Sequence, residues 1–327
     1  METLTRQAQL PTELLRQIVL EYVSTYDEGR KFEEPRHSYK PPWSSVEPLT
    51  LASKVLRQLA FEAWFEVYYV RTPDDLLHAW PEFELWTKEL HCVELGTDLR
   101  ILPVQWDFRA FHRLRKLRID FDPMQSNAML LMRFDHPRHI ASQIQELEIY
   151  DISWPSPMAI HLIADAFPRL RTLKLSQDLM WCNLCNICRF STFRDHPPEE
   201  ITYDKSVGLP SHYATYLRPL IKLEDVVLTV GYGLGGSYSL SENNDILWTG
   251  ECDACMDMMF SVGDFRQDWV EKKKTMMRPP SLKTVKWRFR YKNVLDVVVD
   301  LDEDEDEVAQ TADESDAGNL TIPGSDE

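Results

Sequence analysis

The chain has 327 residues, 43% of them apolar and 11% aromatic, the composition of a folded globular protein with core enough for roughly one to three domains. Its net charge is −17, but thirteen acids and no Lys or Arg lie in residues 293–327, which leaves only −4 on the rest of the chain. That balance lacks the basic patch a nucleic-acid binder needs, and no apolar run reaches the ~18 residues of a membrane span. The opening, METLTRQAQLPTELLRQIV, lacks the basic start and unbroken apolar stretch of a secretory signal. The expected compartment is therefore the nucleus or cytoplasm, where thiols stay reduced.

In chain order, LPTELLRQIVLEYV places Leu14, Leu15, Ile18, Val19 and Tyr22 at helical spacing, with Pro11 suited to a first turn. Residues 24–47 follow as a loop, since Gly29, Pro35, Pro41, Pro42 and the nearby Pro48 all break helices. A second helical run, LTLASKVLRQLAFEAWFEVYY, carries Leu51, Val55 and Leu59 on one stripe and Ala52, Leu56, Ala60 and Ala63 beside it. Two such helices close only a small core, so an apolar face is left needing a partner.

These two runs resemble an F-box. The opening LPxELLxxI stands at Leu10–Ile18 and the second half, LxLxSKxLRxLA, at Leu49–Ala60. The resemblance implies docking on the Skp-type adaptor of a cullin–RING ubiquitin ligase, through Leu10, Pro11, Leu14, Leu15 and Ile18 with Leu51 and Val55. The connection between the halves is longer than the family's usual one.

Beyond residue 70 a loose repeat appears. LHCVEL (90–95), LRKLRI (114–119), IQELEI (144–149), LRTLKL (170–175), LEDVVL (223–228) and LKTVKW (282–287) all read apolar-x-x-apolar-x-apolar, at periods of 24, 30, 26, 53 and 59 residues. The last two apolar positions alternate as in a strand with one buried face, and the first anchors the turn leading in. Helical stretches are expected between them at DFRAFHRL, SPMAIHLIADAFPRL, LPSHYATYLRPLIKL and GDFRQDWVEKKKTMM. The expected fold is thus an α/β repeat: an F-box-like helical domain (residues 1–69), an irregular leucine-rich-repeat-like arc (70–292) and a disordered acidic tail (293–327).

The two longest periods hold insertions, and both insertions carry cysteines. WCNLCNICRF contains Cys182, Cys185 and Cys188, and GECDACMD contains Cys252 and Cys255. Stacked repeats place corresponding insertions on one side, so the two Cys-x-x-Cys pairs can meet as the four thiolates of a closed zinc site. Buried free thiols are the plain alternative. The ferredoxin run is excluded because Arg-Phe-Ser-Thr-Phe follows Cys188. Asn186 suits the left-handed residue that often follows the second cysteine of such a turn. This nominates Cys182, Cys185, Cys252 and Cys255 as ligands, with Cys188 as a spare or alternate. Cys92 is expected in the core. From Cys182 to RPPSLKTVKWRF the chain looks like the C-terminal part of fungal, basidiomycete-type F-box proteins.

No enzyme motif emerges. GYGLGGSYS does not open a helix with Lys-Ser/Thr, and neither Gly-x-Ser-x-Gly nor His-Glu-x-x-His occurs. His136, His139 and His196 are read as loop residues. The leading expectation is a non-enzymatic substrate-recruiting subunit of a ubiquitin ligase, with an unidentified protein target and neither nucleic acid nor membrane as a partner. The alternative is a repeat-based interaction scaffold with no ligase role. Deleting residues 300–327, which hold too few apolar groups to offset ordering entropy, is expected to move the melting temperature by no more than about 2 °C. A larger drop in a thermal melt would mean that the tail packs on the body.

Overall fold

The computed structural model describes residues 10–24, 40, 42–71, 74–77, 83–93, 108, 110–121, 143–152, 155–204, 207–240 and 248–292. The acidic tail, His136, His139 and most of the 24–47 connection lie outside them. The N-terminal unit is made of α1 (Thr12–Ser24), α2 (Trp43–Ala52) and α3 (Lys54–Phe65). Its core is Val19, Val23, Val46, Leu59, Ala60 and Ala63, with Leu15, Leu20, Leu49, Leu56 and Trp64 packed around it. The second helical run is two helices, not one. At Ser53 the chain is extended, and the Ser53 hydroxyl caps α3 by accepting the Leu56 N–H at 3.1 Å. The predicted loop is also too long at its C-terminal end, because α2 begins at Trp43 and contains Pro48. Burial of Val46 and Thr50 outweighs the one backbone bond that Pro48 cannot make.

From there the chain builds a mixed α/β body on a mostly parallel sheet. The strands are β1 (Val67–Val70), β2 (Glu89–Val93), β3 (Lys116–Asp120), β4 (Glu146–Ile152), β5 (Thr172–Gln177), β6 (Leu179–Trp181), β7 (Cys188–Phe193), β8 (Glu200–Asp204), β9 (Asp225–Leu234) and β10 (Thr284–Tyr291). Short helical turns α4 (Asp74–Leu77) and α5 (Phe83–Trp86) precede β2. Longer helices are α6 (Pro157–Ala166), α7 (Ser211–Leu217), α8 (Asp253–Ser261) and α9 (Phe265–Thr275). The sheet runs β1-β2-β3-β4-β5-β9-β10 in parallel, and β8 closes the far edge antiparallel to β10. The expected boundary after residue 69 falls inside β1, which pairs with β2 and joins the helical unit directly to the sheet. The described part of DFRAFHRL forms turns instead of a helix.

Register explains why the body repeats. Leu90, Leu117, Leu147, Leu173, Val226 and Val285 stand opposite one another across successive strands, and so do Cys92, Ile119, Ile149, Leu175, Leu228 and Trp287. All twelve are buried in the main core. One residue before each strand, a carbonyl accepts two N–H groups from the next repeat. Those of Glu66, Lys88, Arg115, Gln145, Arg171 and Glu224 all do so. Just before this column stand the buried anchors Leu114, Ile144, Leu170, Leu223 and Leu282.

The first repeat is three residues out of the predicted frame. Its anchor is Thr87, fully buried, whose hydroxyl donates to the carbonyls of Phe65 (2.9 Å) and Phe83 (3.0 Å). A polar anchor satisfied in this way is invisible to an apolar pattern, so Leu90 and Cys92 take the strand positions expected of Val93 and Leu95.

The opposite face of the sheet is charged. Lys116 pairs with Glu89 (3.2 Å) and Glu148 (3.3 Å), and Lys174 pairs with Glu146 (3.0 Å). His91, Arg118 and Asp120 are buried together, with Asp120 accepting from Arg118 at 2.8 Å and lying 2.7 Å from His91 Nε2. On the apolar face Leu147→Ala removes a fully buried side chain from the middle of the stack and is expected to cost about 3 kcal/mol. Chemical denaturation checks this; a loss below ~1 kcal/mol would mean that the stack does not carry the fold.

Candidate metal centre and exposed helical face

The two insertions flank β9, and each brings its cysteines to one place. In the first, β6 and β7 form a hairpin whose turn is Cys182–Asn186. Asn186 is left-handed at φ 61°, as the sequence predicts, and its Oδ1 accepts the Trp181 indole N–H at 2.6 Å. In the second, Cys252 is the residue before α8 and Cys255 lies in its first turn. Helix N-terminal amides favour the negative charge of thiolates placed there.

The sulfur atoms of Cys182, Cys185, Cys252 and Cys255 all lie within 4.8 Å of one another. Cys182 Sγ is 3.7 Å from Cys255 Sγ, and Cys185 Sγ is 3.9 Å from Cys252 Sγ. Four sulfurs bound at ~2.3 Å around a tetrahedral ion stand about 3.8 Å apart, so both contacts match the edges of such a site. Four sulfur donors can hold a thiophilic metal ion here. Cys182, Cys252 and Cys255 are buried and Cys185 is partly exposed. Cys188 is outside the cluster, on β7 opposite Trp181, and Cys92 is buried in the sheet.

Cys182 Sγ is surrounded by hydrogen-bond donors. It accepts the N–H groups of Cys252 (3.3 Å), Leu184 (3.4 Å) and Cys185 (3.5 Å). Together with a hydrogen bond from the Cys252 side chain, which contributes most, these donors outweigh burial and bring the thiol down to about 5. Burial pushes Cys255 and Cys188 the other way, each up to about 12. Cysteines bind a metal ion as thiolates, so the affinity of such a site falls as pH falls.

A buried polar network surrounds the cluster. The Glu251 carboxylate, beside Cys252, accepts the Thr249 N–H (2.6 Å), the Thr249 hydroxyl (2.8 Å) and the Trp269 indole N–H (2.9 Å), and pairs with Lys273 Nζ at 2.6 Å. The Thr249 hydroxyl in turn accepts from Asn183 Nδ2 at 2.7 Å. Asn183 Oδ1 accepts the Ser211 N–H (2.7 Å) and hydroxyl (2.6 Å), and the Asn183 N–H donates to the Gly250 carbonyl at 2.8 Å. Gly250 has φ 88°, and a Cβ there would lie 3.1 Å from Trp287 and from the Met180 sulfur. The sequence reading missed this network. Its only signal was polar residues directly beside two of the cysteines.

On the N-terminal unit the residues assigned to docking divide between two faces. Leu14, Ile18 and Tyr22 are exposed at four-residue spacing on one stripe of α1, and Leu10, two residues before the helix, is exposed too. Pro11, Leu51 and Val55 are exposed as well, Leu51 at 72%. Leu15 instead is partly buried against the core of the unit. Among the described residues no helix is long and apolar enough to cross a membrane.

Comparison of the chain with known protein families, curated proteins and solved structures finds no match. The geometry of the cluster makes its own prediction. Cys252→Ser and Cys255→Ser are each expected to abolish stoichiometric metal binding, while Cys188→Ser keeps it. Elemental analysis of the purified variants reads the outcome, and loss of metal in Cys188→Ser would reassign the ligands.

Proposed function

We propose that this chain is the substrate-recognition subunit of an SCF-type cullin–RING ubiquitin ligase, with a structural zinc ion held by Cys182, Cys185, Cys252 and Cys255. The observation that carries the adaptor reading is the apolar stripe on α1. Leu14 and Ile18 on α1 are 47% and 54% exposed, and Leu10 just before it 56%, although Val19 and Val23 of the same helix are buried in the core of the unit. Leu51 and Val55 add exposed apolar surface at the α2–α3 junction. Apolar side chains exposed in a row beside a satisfied core fit a surface that a partner covers. They are also the positions at which the chain resembles an F-box. In this reading the chain recruits a target and performs no chemistry itself, in the nucleus or cytoplasm.

The repeated parallel strands fit a leucine-rich-repeat-like arc, and their charged face is the natural place for the target. That face and the N-terminal helices enclose a cavity of about 480 Å³, bounded by Leu20, Trp64, Lys116, Glu148, Lys174 and Arg288. Zinc is favoured for the cysteines because a closed set of four thiolates suits a tetrahedral, redox-inert ion. It would lock two insertions on opposite sides of β9.

Truncation of an interface hot spot costs about 2 kcal/mol or more, which is roughly 30-fold in affinity. Pro11→Ala combined with Leu14→Ala is therefore expected to abolish retention of a Skp-type adaptor that the unaltered chain retains at micromolar concentration. Both side chains are exposed, so the variant should melt like the parent. No adaptor retained by the unaltered chain would remove the ligase role and leave a repeat-based interaction scaffold.

A further inference from the structure

We infer that the cysteine cluster is assembled before any ion arrives, by a polar clasp centred on Glu251, which makes Glu251 a positioning residue for the metal centre. The inference rests on the reading of the four cysteines as a metal site, and it concerns what brings them together.

Cys185 and Cys252 are 67 residues apart in sequence and lie on separate insertions. In many small thiolate sites only the ion joins such segments, and the loops fall apart without it. Here a second connection exists. Asn183, next to Cys182, reaches across to the segment before Cys252 twice, through its N–H to the Gly250 carbonyl and through its amide to the Thr249 hydroxyl. Thr249 is itself fixed to Glu251 by both its N–H and its hydroxyl. Glu251 is anchored in turn to α9 by Trp269 and Lys273, and Asn183 to the start of α7 by Ser211. Every link in this chain is protein to protein.

Burial gives the clasp its force. The side chains of Glu251 and Lys273 are 0% and 1% exposed. A carboxylate so enclosed must keep its full set of donors, because leaving it unpaired is far more costly than leaving a surface charge unpaired. Moving the Cys252 segment away would strip Glu251 of partners, so the segment stays where the Cys252 N–H points at Cys182 Sγ. The thiols are thus held near tetrahedral spacing by groups that do not bind the ion. Such outer contacts typically govern 10–100-fold in metal affinity.

The test uses the full chain, stripped of metal with a chelator under reducing conditions. Alkylation of each cysteine by iodoacetamide is followed by mass spectrometry, and Co²⁺ is titrated by its thiolate charge-transfer absorption. In the metal-free parent, Cys182 and Cys252 are expected to label at least about tenfold more slowly than in denaturant, and Glu251→Gln should remove that protection and weaken Co²⁺ binding about 10–100-fold. Thr249→Val, which deletes only the bridging hydroxyl, should move both readouts in the same direction and serves if Glu251→Gln fails to fold. Four cysteines that label at the denatured rate in the metal-free parent would overturn the inference. A Glu251→Gln protein that melts lower but binds Co²⁺ as tightly as the parent would overturn it too, since that is what a merely structural carboxylate would do. If the parent takes up no Co²⁺ the metal reading falls, and the alkylation arm alone decides the clasp: protection lost in the variants supports it, and no protection in the parent refutes it.

Discussion

The in-register stacking of apolar side chains between parallel strands is the constraint from which the other features follow. Leu117, Leu147, Leu173, Val226 and Val285 occupy one level of the sheet, and a slip of one residue in any strand would send its apolar set to the charged face. Because β5, β9 and β10 are adjacent in the sheet, the segments before and after β9 both return to its neighbourhood. The β6–β7 hairpin is held there directly, since β7 pairs with the C-terminal half of β9. Two cysteine pairs far apart in sequence can meet only because the sheet fixes where their insertions start and end.

Charge is handled differently on the two sides of this frame. On the charged face lysines and carboxylates of neighbouring strands compensate one another, partly exposed at Lys116–Glu89 and Lys174–Glu146, with Glu148 buried beside Lys116. Beneath the cysteine cluster Glu251 and Lys273 are enclosed. Burial alone would raise the Glu251 carboxyl; Lys273, Thr249 and Trp269 outweigh it and hold the group below the usual carboxylate range. A buried pair of this kind is a weak source of net stability and a strong source of uniqueness, since few arrangements of the two insertions can satisfy it.

Much of this frame was legible in the sequence, for identifiable reasons. Five of the six apolar hexamers fall on strands in the predicted phase because alternation reports a half-buried strand directly. The α6, α7 and α9 segments also fall within the predicted helical stretches. The sixth hexamer failed because Thr87 does a leucine's work through hydrogen bonds, which no apolar pattern registers. Pro48 misled for the converse reason, since a local breaking rule lost to the burial of Val46. At the cysteines, spacing and the left-handed Asn186 were enough to select four sulfurs from five. Beyond the polar neighbours Asn183 and Glu251 of two cysteines, the network gave no sign, because it has no periodicity and its members come from separate segments of the chain.

Four sulfurs this close are spaced to hold one ion. X-ray absorption at the zinc edge of freshly purified, reduced protein reads the number, identity and distance of the ligands at once. Four sulfur neighbours at about 2.3 Å, with one zinc per chain, are predicted. No zinc, or a coordination shell containing nitrogen or oxygen in place of sulfur, would contradict a four-thiolate zinc site.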